Sequence, residues 1–502
     1  MEERPDAQRD NTSAELHGRV GSALKWRTIQ LGTEQGLSIA RFVILARLLA
    51  PADFGLLAIG TVVLDLLLAL TNLGLGPALV QLRDRRRRHY DAAWTIALVR
   101  GAVISVTLFV GADLIADLYR EPRATPLLQL LAIRPLLSGL ESPRLADLER
   151  ELNFRALAML IVTASVLQTV VAVALAPALG VYAIAAGMLV GTLAHTALSY
   201  RAAPHRPAFR LDRTSTSALL TFGRWVLVTS LIGIFGEAAL RAVISRHLGA
   251  AELGLYYLAL RLAYLPASVA GTVVGSVAFP LHVRFRDEPE RAARTLSSNL
   301  RSLVAIVVPT YVVLVGLATP ITRDVLGPRW IGADELISVL AIAATIGLVA
   351  DAVFPMFEGR GEPDRISLAL TIRTIGLLVL AWPLTLRFGV LGAALATLTA
   401  EVPVQLVVSV LAGRRIPRPF RDVPVTFAAS LGAGGTGLAV GWALEAMFGP
   451  PVGALIAGSA GGIVAVATLW CIDRVLGLGL AEQLARAFPP LRRILGTMPH
   501  RA

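Results

Sequence analysis

Charged residues inside apolar segments are the part of this sequence that could do chemistry. Glu34 and Arg41 lie seven residues apart, Glu237 and Arg241 lie four apart, and Arg261 follows in the next apolar segment. Both spacings place the two side chains on one face of a helix, and the shorter one allows an ion pair within the helix. A guanidinium keeps its charge at any working pH and donates two parallel hydrogen bonds to a phosphate group. Arg41, Arg241 and Arg261 are therefore candidate ligands for an anionic substrate.

The carboxylates in such segments suggest a second role. A charge at the centre of a bilayer costs about 2.5 to 3.5 kcal/mol on insertion scales, so it usually faces a cavity or a partner. Burial also raises the pKa of a carboxyl group, which suits it to bind protons or sodium. The candidates for ion coupling, with Glu237 the first choice, are Glu34, Asp65, Glu237, Asp351 and Glu401. Structural pairing between helices is the open alternative for these carboxylates and for the arginines.

The composition indicates the elements that must position these residues. The chain has 502 residues, of which 55% are hydrophobic and 16% charged, and its mean hydropathy is +0.66. Apolar runs of about 20 residues or more suffice to cross a hydrocarbon core of about 30 Å as helices. We therefore expect an all-α integral membrane protein with about fourteen transmembrane helices. The fourth span, near residues 127–140, is the weakest because Arg134 and Pro135 interrupt it.

Loop charges predict the orientation. Arginine clusters such as Arg85 to Arg88 and Arg414 with Arg415 all fall on one side of the membrane when the N-terminus is cytoplasmic. Cytoplasmic loops retain basic residues, so both termini are expected in the cytoplasm. The expected organisation is a cytoplasmic tail (1–21), a first lobe of six spans (22–213), a second lobe of six spans (214–412), two further spans (413–480) and a second tail (481–502).

Several classes of chemistry are not expected. Cys471 is the sole cysteine, and the chain contains no phosphate-binding GxxxxGK[ST] loop. The loops between spans are short, which leaves no room for a soluble catalytic domain. We therefore predict a protein that is not an enzyme, with no catalytic residues, no metal and no cofactor beyond a proton or sodium gradient. Nucleic acid is not an expected partner, because the net charge of +12 rests almost wholly on arginine, with Lys25 the only lysine, and this bias is more typical of genomic base composition than of function.

An internal repeat supports the two-lobe organisation. The segment at residues 47–56, RLLAPADFGL, recurs as RHLGAAELGL at residues 246–255, and GVYAIAAG at 180–187 is echoed by GVLGAALA at 389–396. Repeated helical bundles are typical of transporters, and a parallel repeat implies a pseudo-two-fold axis along the membrane normal. The carboxylates of Asp53 and Glu252 are expected to cap the helices that follow these joints.

The sequence resembles the polysaccharide transporter branch of the multidrug/oligosaccharidyl-lipid/polysaccharide exporter superfamily, which includes the O-antigen and exopolysaccharide flippases. The resemblance rests on ILARLLAPADFGL at residues 44–56, NLGLGPALV at 72–80, LERELNFR at 148–155 and GAAELGLY at 249–256. It implies two six-helix lobes around a central cavity and alternating access. It also implies a substrate in which a sugar repeat unit is linked to undecaprenyl pyrophosphate, carried across the bacterial cytoplasmic membrane.

Other functions stay open. A multidrug/cation antiporter of the same superfamily would want an acidic, aromatic-lined cavity, whereas aromatic residues make up 6% of this chain. A lipid II flippase is hard to separate from a sugar-repeat flippase by sequence. A membrane polymerase or ligase would need a sizeable outer loop, and the longest outer segment, near Thr319 to Glu335, is short. Expected partners are the lipid-linked oligosaccharide, membrane lipids and a polysaccharide polymerase with its export machinery.

Overall fold

The computed structural model describes residues 6–71, 87–151, 153–209, 213–417, 420 and 423–476. These ranges contain helices, turns and short connections and no β-strand. Ten of the described helices are long and apolar enough to cross a membrane. The prediction of an all-α membrane protein is confirmed, and the count of fourteen spans stays a prediction. The segment NLGLGPALV, which contributed to the family resemblance, lies outside the described residues.

The chain divides into two compact units, Met1–Ser230 and Leu231–Ala502. The described helices that begin in the first unit are α1 (Asp6–Leu48), α2 (Pro51–Leu70), α3 (Arg87–Tyr119), α4 (Ala124–Leu131), α5 (Ile133–Gly139), α6 (Leu145–Arg150), α7 (Phe154–Leu179), α8 (Val181–Ala202) and α9 (Arg213–Leu248), which continues into the second unit. Within the first unit, α7 packs against both α1 and α8, and α5 packs against α3 and α8.

The second unit continues with six further long helices. These are α10 (Ala250–Arg284), α11 (Pro289–Gly316), α12 (Ala333–Arg360), α13 (Pro363–Gly413), α14 (Val423–Phe448) and α15 (Val452–Leu476). Helix α12 packs against α10, α11 and α13, whereas α14 and α15 pack on each other and on α11. The described part of the segment 413–480, which was predicted to be a two-span addition, contains α14 and α15, and both pack on α11.

The fourth predicted span is divided into two short helices. Helix α4 ends at Leu131 and α5 begins at Ile133, so the break falls just before Arg134 and Pro135. Proline has no N–H to donate to the preceding turn and its ring crowds that turn, which explains the interruption. The break brings Arg134 and the end of α5 into the interior of the first unit, where they contribute to the cavity described below.

The repeat seen in the sequence is matched by backbone conformation. Gly180, between α7 and α8, has φ 57° and ψ −133°, and Gly389, within α13, has φ 62° and ψ −144°. Side chains other than glycine rarely adopt these angles, so the two equivalent joints need glycine. Gly389 divides α13 into two helical halves, which accounts for two predicted spans in one helix of 51 residues.

The predicted cap at the start of α2 is confirmed. The Oδ2 atom of Asp53 accepts a hydrogen bond from the backbone N–H of Ala50 at 3.1 Å.

The connection that follows α8 is held firmly against the first unit. The Nε2 atom of His205 lies 3.1 Å from Oδ1 of Asp91 in α3, and the same oxygen accepts the Ala208 N–H at 3.3 Å. Arg144 donates to the carbonyl of Pro204 at 3.2 Å. These contacts fix the end of the first unit at which α5 and α8 finish and α7 begins. We call this the basic end, because Arg144, Arg150, Arg155 and Arg201 lie there.

A tight helix crossing in the first unit provides a test of the fold. A Cβ atom added to Gly139 would lie 2.7 Å from the carbonyl oxygen of Ala97 and 3.0 Å from the Cα of Leu98, both backbone atoms of α3. We expect Gly139→Ala to lower the free energy of unfolding by about 1 to 3 kcal/mol, the usual cost of overpacking. Thermal unfolding in detergent measures this effect.

Gly36→Ala is the matched control, since a Cβ atom there meets nothing within 4 Å. Equal melting temperatures for the two variants would contradict the close approach of α5 to α3.

Candidate functional site

The first unit contains a polar cavity of about 390 Å³. Residues of α1, α2, α5, α7 and α8 line it together with Glu141, which follows α5. It lies towards the basic end, because it is bordered by the last turns of α2 and α5 and by the first half of α7. Six of its polar lining residues are Glu34, Arg134, Ser138, Glu141, Gln168 and His195. Such a concentration of polar side chains within a membrane bundle is typical of a binding or transport site.

Charged groups in this cavity come from four separate segments of the chain. The Nδ1 atom of His195 lies 3.7 Å from Oε2 of Glu141. Burial, and secondarily the charge of Glu149, raises the pKa of Glu141 from 4.5 to about 7. Two of the predicted ion-coupling residues belong here: Glu34 lines the cavity, and Asp65 interacts electrostatically with Arg134.

Arg41 is anchored on the same group of helices. Its Nη1 donates to Oγ1 of Thr169 in α7 at 3.1 Å, and that hydroxyl donates onward to the carbonyl of Ser165 at 2.7 Å. Ser165 also lines the cavity. The guanidinium therefore has a defined position one helical turn along α7 from the cavity wall.

In the second unit the predicted intrahelical pair is confirmed. The Nη2 atom of Arg241 lies 3.3 Å from Oε2 of Glu237, and its guanidinium carbon is 5.7 Å from the ring centroid of Tyr257. Arg241 is only 8% exposed, so both contacts act in a place largely shielded from solvent. Arg261 differs, because its side chain is exposed on α10.

Arg373 is one of the residues that sequence reasoning missed, together with Glu141 and His195 in the cavity of the first unit. Its Nε lies 2.7 Å from Oε1 of Glu401, and its Nη2 lies 3.8 Å from Oε1 of Glu237. Glu401 also accepts a hydrogen bond from Gln405 at 3.2 Å, and Gln405 in turn accepts the Ala350 N–H at 2.9 Å. The signal that could have identified Arg373 was present, since it is an arginine within a predicted transmembrane span.

These contacts form one charge network in the second unit. It consists of Arg241, Glu237, Arg373, Glu401 and Gln405, and it joins α9 to both halves of α13. Asp351 of α12 interacts electrostatically with Glu401 and Arg373. Three of the five predicted ion-coupling residues therefore lie in or beside this network, where guanidinium groups face them.

Known protein families and curated relatives share sequence with this chain. A family model described as "Polysaccharide biosynthesis protein" matches residues 44–335. The lipopolysaccharide biosynthesis protein WzxC of Escherichia coli (strain K12) is 27% identical over 348 residues, covering 68% of this chain and 69% of the relative. The succinoglycan biosynthesis transport protein ExoT of Rhizobium meliloti (strain 1021) is 26% identical, covering 67% and 68%.

Solved structures show the fold. The lipid II flippase MurJ in its inward closed conformation superposes with a TM-score of 0.71 at 15% identity, covering 89% of this chain and 99% of that one. An inward-facing multidrug resistance transporter of the MATE family and MOP superfamily gives 0.60 at 16% identity, covering 78% and 99%. These two likenesses show that the chain shares the fold of these membrane proteins. The chain belongs to the polysaccharide biosynthesis protein family whose model matches residues 44–335.

Proposed function

We propose that this protein is a flippase that carries an undecaprenyl-pyrophosphate-linked oligosaccharide repeat unit across the bacterial cytoplasmic membrane by alternating access. The observation that carries the proposal is the family match over residues 44–335. ExoT, one of the relatives, is named as a transport protein and aligns over 339 residues. A multi-pass membrane protein of this family is a transporter and not an enzyme. The polymer, an O-antigen, capsule or exopolysaccharide, is not specified by the match.

Arg41, Arg241 and Arg261 are the proposed ligands of the pyrophosphate. A diphosphate presents several oxygens to which the planar guanidinium fork can donate. The hydrogen bond from Arg41 to Thr169 positions one such fork, and the exposed side chain of Arg261 offers another. Arg241 already contacts Glu237 at 3.3 Å. It can therefore bind the pyrophosphate only by releasing Glu237.

Ion coupling is proposed for the cavity of the first unit ahead of the network of the second. Glu237 and Glu401 each contact the guanidinium of Arg373, so both carboxylates already have a cationic side chain as a partner. Glu34 and Asp65, near the cavity of the first unit, are the better placed of the predicted residues, whereas Glu237, Asp351 and Glu401 are better suited to hold helices together.

A lipid II flippase and a multidrug antiporter are the two alternatives within transport. A lipid II flippase shares the polyprenyl pyrophosphate and the fold, and would differ in the sugar. A multidrug antiporter shares the fold but would recognise cations, which the three candidate arginines oppose. A polymerase would need a sizeable outer segment. In this chain the corresponding residues, 318–330, form a compact run of helical turns that ends at the fully buried Trp330.

Complementation tests the proposal in cells. The chain is expressed in a flippase-null bacterium whose glycosyltransferases assemble the repeat unit native to this protein's host. Restored surface polymer is the expected result, with both termini reporting as cytoplasmic in reporter fusions. If the undecaprenyl-linked unit still accumulates at the inner leaflet despite normal membrane levels of the protein, the proposal is wrong.

A further inference from the structure

The cavity of the first unit carries more negative than fixed positive charge. Two carboxylates, Glu34 and Glu141, line it together with one guanidinium, Arg134. Arg134 also interacts with Asp65, so its positive charge is shared. In a low-dielectric interior such an excess is costly unless a proton or another cation reduces it. The cavity thus has a physical reason to bind a cation of some kind.

The geometry around Glu141 favours a proton over a metal ion. The carboxylate of Glu141 faces the imidazole of His195, at 3.7 Å from Oε2 to Nδ1. Hard cations prefer shells made wholly of oxygen ligands, whereas a neutral imidazole has a ring nitrogen that can accept a proton.

Neither of the two side chains is fully buried. The side chain of Glu141 is 34% exposed and that of His195 is 29% exposed, and both border the cavity near the basic end. A proton can therefore reach them from the aqueous phase at that end. Burial sets the working range, because the pKa of Glu141 is raised to about 7.

We propose that this cavity is a proton-binding site, in which Glu141 holds the proton and His195 receives it, and that its protonation drives the transport cycle. The inference rests on the proposed transport function and adds the coupling ion and the residues that bind it. Neither Glu141 nor His195 was among the candidates predicted from the sequence.

Every charged group near the pair bears on its titration. Glu34 faces the cavity from α1, Arg134 from α5 and His195 from α8. Glu149 of α6 acts on Glu141 through its negative charge, and Tyr200 of α8 is close enough to interact with Glu141 electrostatically. The residues that line the cavity from α2 and α7, such as Leu64 and Gln168, carry no charge.

The first experiment measures flipping of a fluorescent undecaprenyl-pyrophosphate oligosaccharide in proteoliposomes at pH 6 and pH 8, with equal pH on both sides. A carboxyl group with a pKa of about 7 changes from about nine-tenths to about one-tenth protonated over this range. We expect the wild-type rate to fall about tenfold between the two pH values. For Glu141→Gln, which cannot titrate, the ratio of the two rates should fall to about one.

Two neighbouring glutamates give a directional test with a matched control. Removing the negative charge of Glu149 lowers the pKa of Glu141, so Glu149→Gln should shift the midpoint of the rate–pH curve to lower pH. Glu151 is similarly exposed and lies two residues further on, and Glu151→Gln should leave the midpoint in place. His195→Gln should slow flipping at both pH values because the receiving nitrogen is lost.

Infrared difference spectra of the purified protein between pH 6 and pH 8 provide a measurement independent of transport. A protonated carboxyl band that Glu141→Gln removes is the expected result. If that band persists in Glu141→Gln, or if this variant keeps the wild-type pH ratio of flipping, the inference is overturned while the proposed function stands. A wild-type protein that flips no polyprenyl pyrophosphate at either pH overturns the proposed function, and the infrared band then reports on the proton site alone.

Discussion

Replacing Arg373 with alanine is expected to abolish transport and to destabilise the second unit. Arg373 contacts Glu401 at 2.7 Å and Glu237 at 3.8 Å, and Glu401 is only 6% exposed. Removing one partner of a buried ion pair strands the other charge, which typically costs about 3 to 5 kcal/mol. The melting temperature of the purified variant in detergent, and complementation of the flippase-null strain, measure the two effects.

The double variant Arg373→Met/Glu401→Met separates stability from function. Apolar side chains of similar volume can replace a buried ion pair without loss of stability, so this protein should regain much of its melting temperature. Transport should return with stability, because the proposed role of Glu401 and its neighbours is to hold helices together. Arg387→Ala is the control, since Arg387 is an exposed arginine of the same helix. A single Arg373→Ala protein with wild-type stability would contradict the network.

Arg41→Ala and Arg261→Ala are each expected to reduce flipping about tenfold or more. Hydrogen bonds to charged groups contribute about 1.5 to 3 kcal/mol, and about 1.4 kcal/mol corresponds to a factor of ten. The lysine variants should retain part of the rate, because the charge remains while the two-pronged donation is lost. Initial rates in proteoliposomes, normalised to the reconstituted protein, measure the effect.

Arg47→Ala is the matched control for Arg41. It removes an exposed arginine six residues further along the same helix. Thr169→Val should have a smaller effect than Arg41→Ala, because it removes the hydrogen bond that positions Arg41 and leaves the charge. Charge-reversed Arg41→Glu and Arg261→Glu proteins that complement fully would show that neither arginine binds the phosphate.

The helical architecture was predictable because it follows from local properties of the sequence. Apolar length and composition determine where helices form, and the recurring glycine joint was visible as the echo of residues 180–187 in residues 389–396. The similar backbone angles of Gly180 and Gly389 give that echo a physical cause. The weakness of the fourth span was also visible, since Arg134 and Pro135 mark the point at which α4 and α5 separate.

The sites were predictable only in part, because they depend on distances between segments that are remote in sequence. The pair of Glu237 with Arg241 follows from helical spacing, whereas Glu141 and His195 are 54 positions apart and nothing in their spacing brings them together. Arg373 was visible as an intramembrane charge, but its bridge between Glu237 and Glu401 requires three helical segments to converge. Sequence thus identified charged candidates better than it identified their partners.

The central claim, that this chain flips a polyprenyl-pyrophosphate-linked sugar, is tested most directly in proteoliposomes made from the purified protein. Fluorescent undecaprenyl-pyrophosphate oligosaccharide, lipid II and a cationic dye are assayed side by side, with protein-free vesicles as the blank. The account predicts rapid flipping of the oligosaccharide lipid, slower flipping of lipid II and no dye efflux. Robust dye efflux without flipping of either lipid would contradict it.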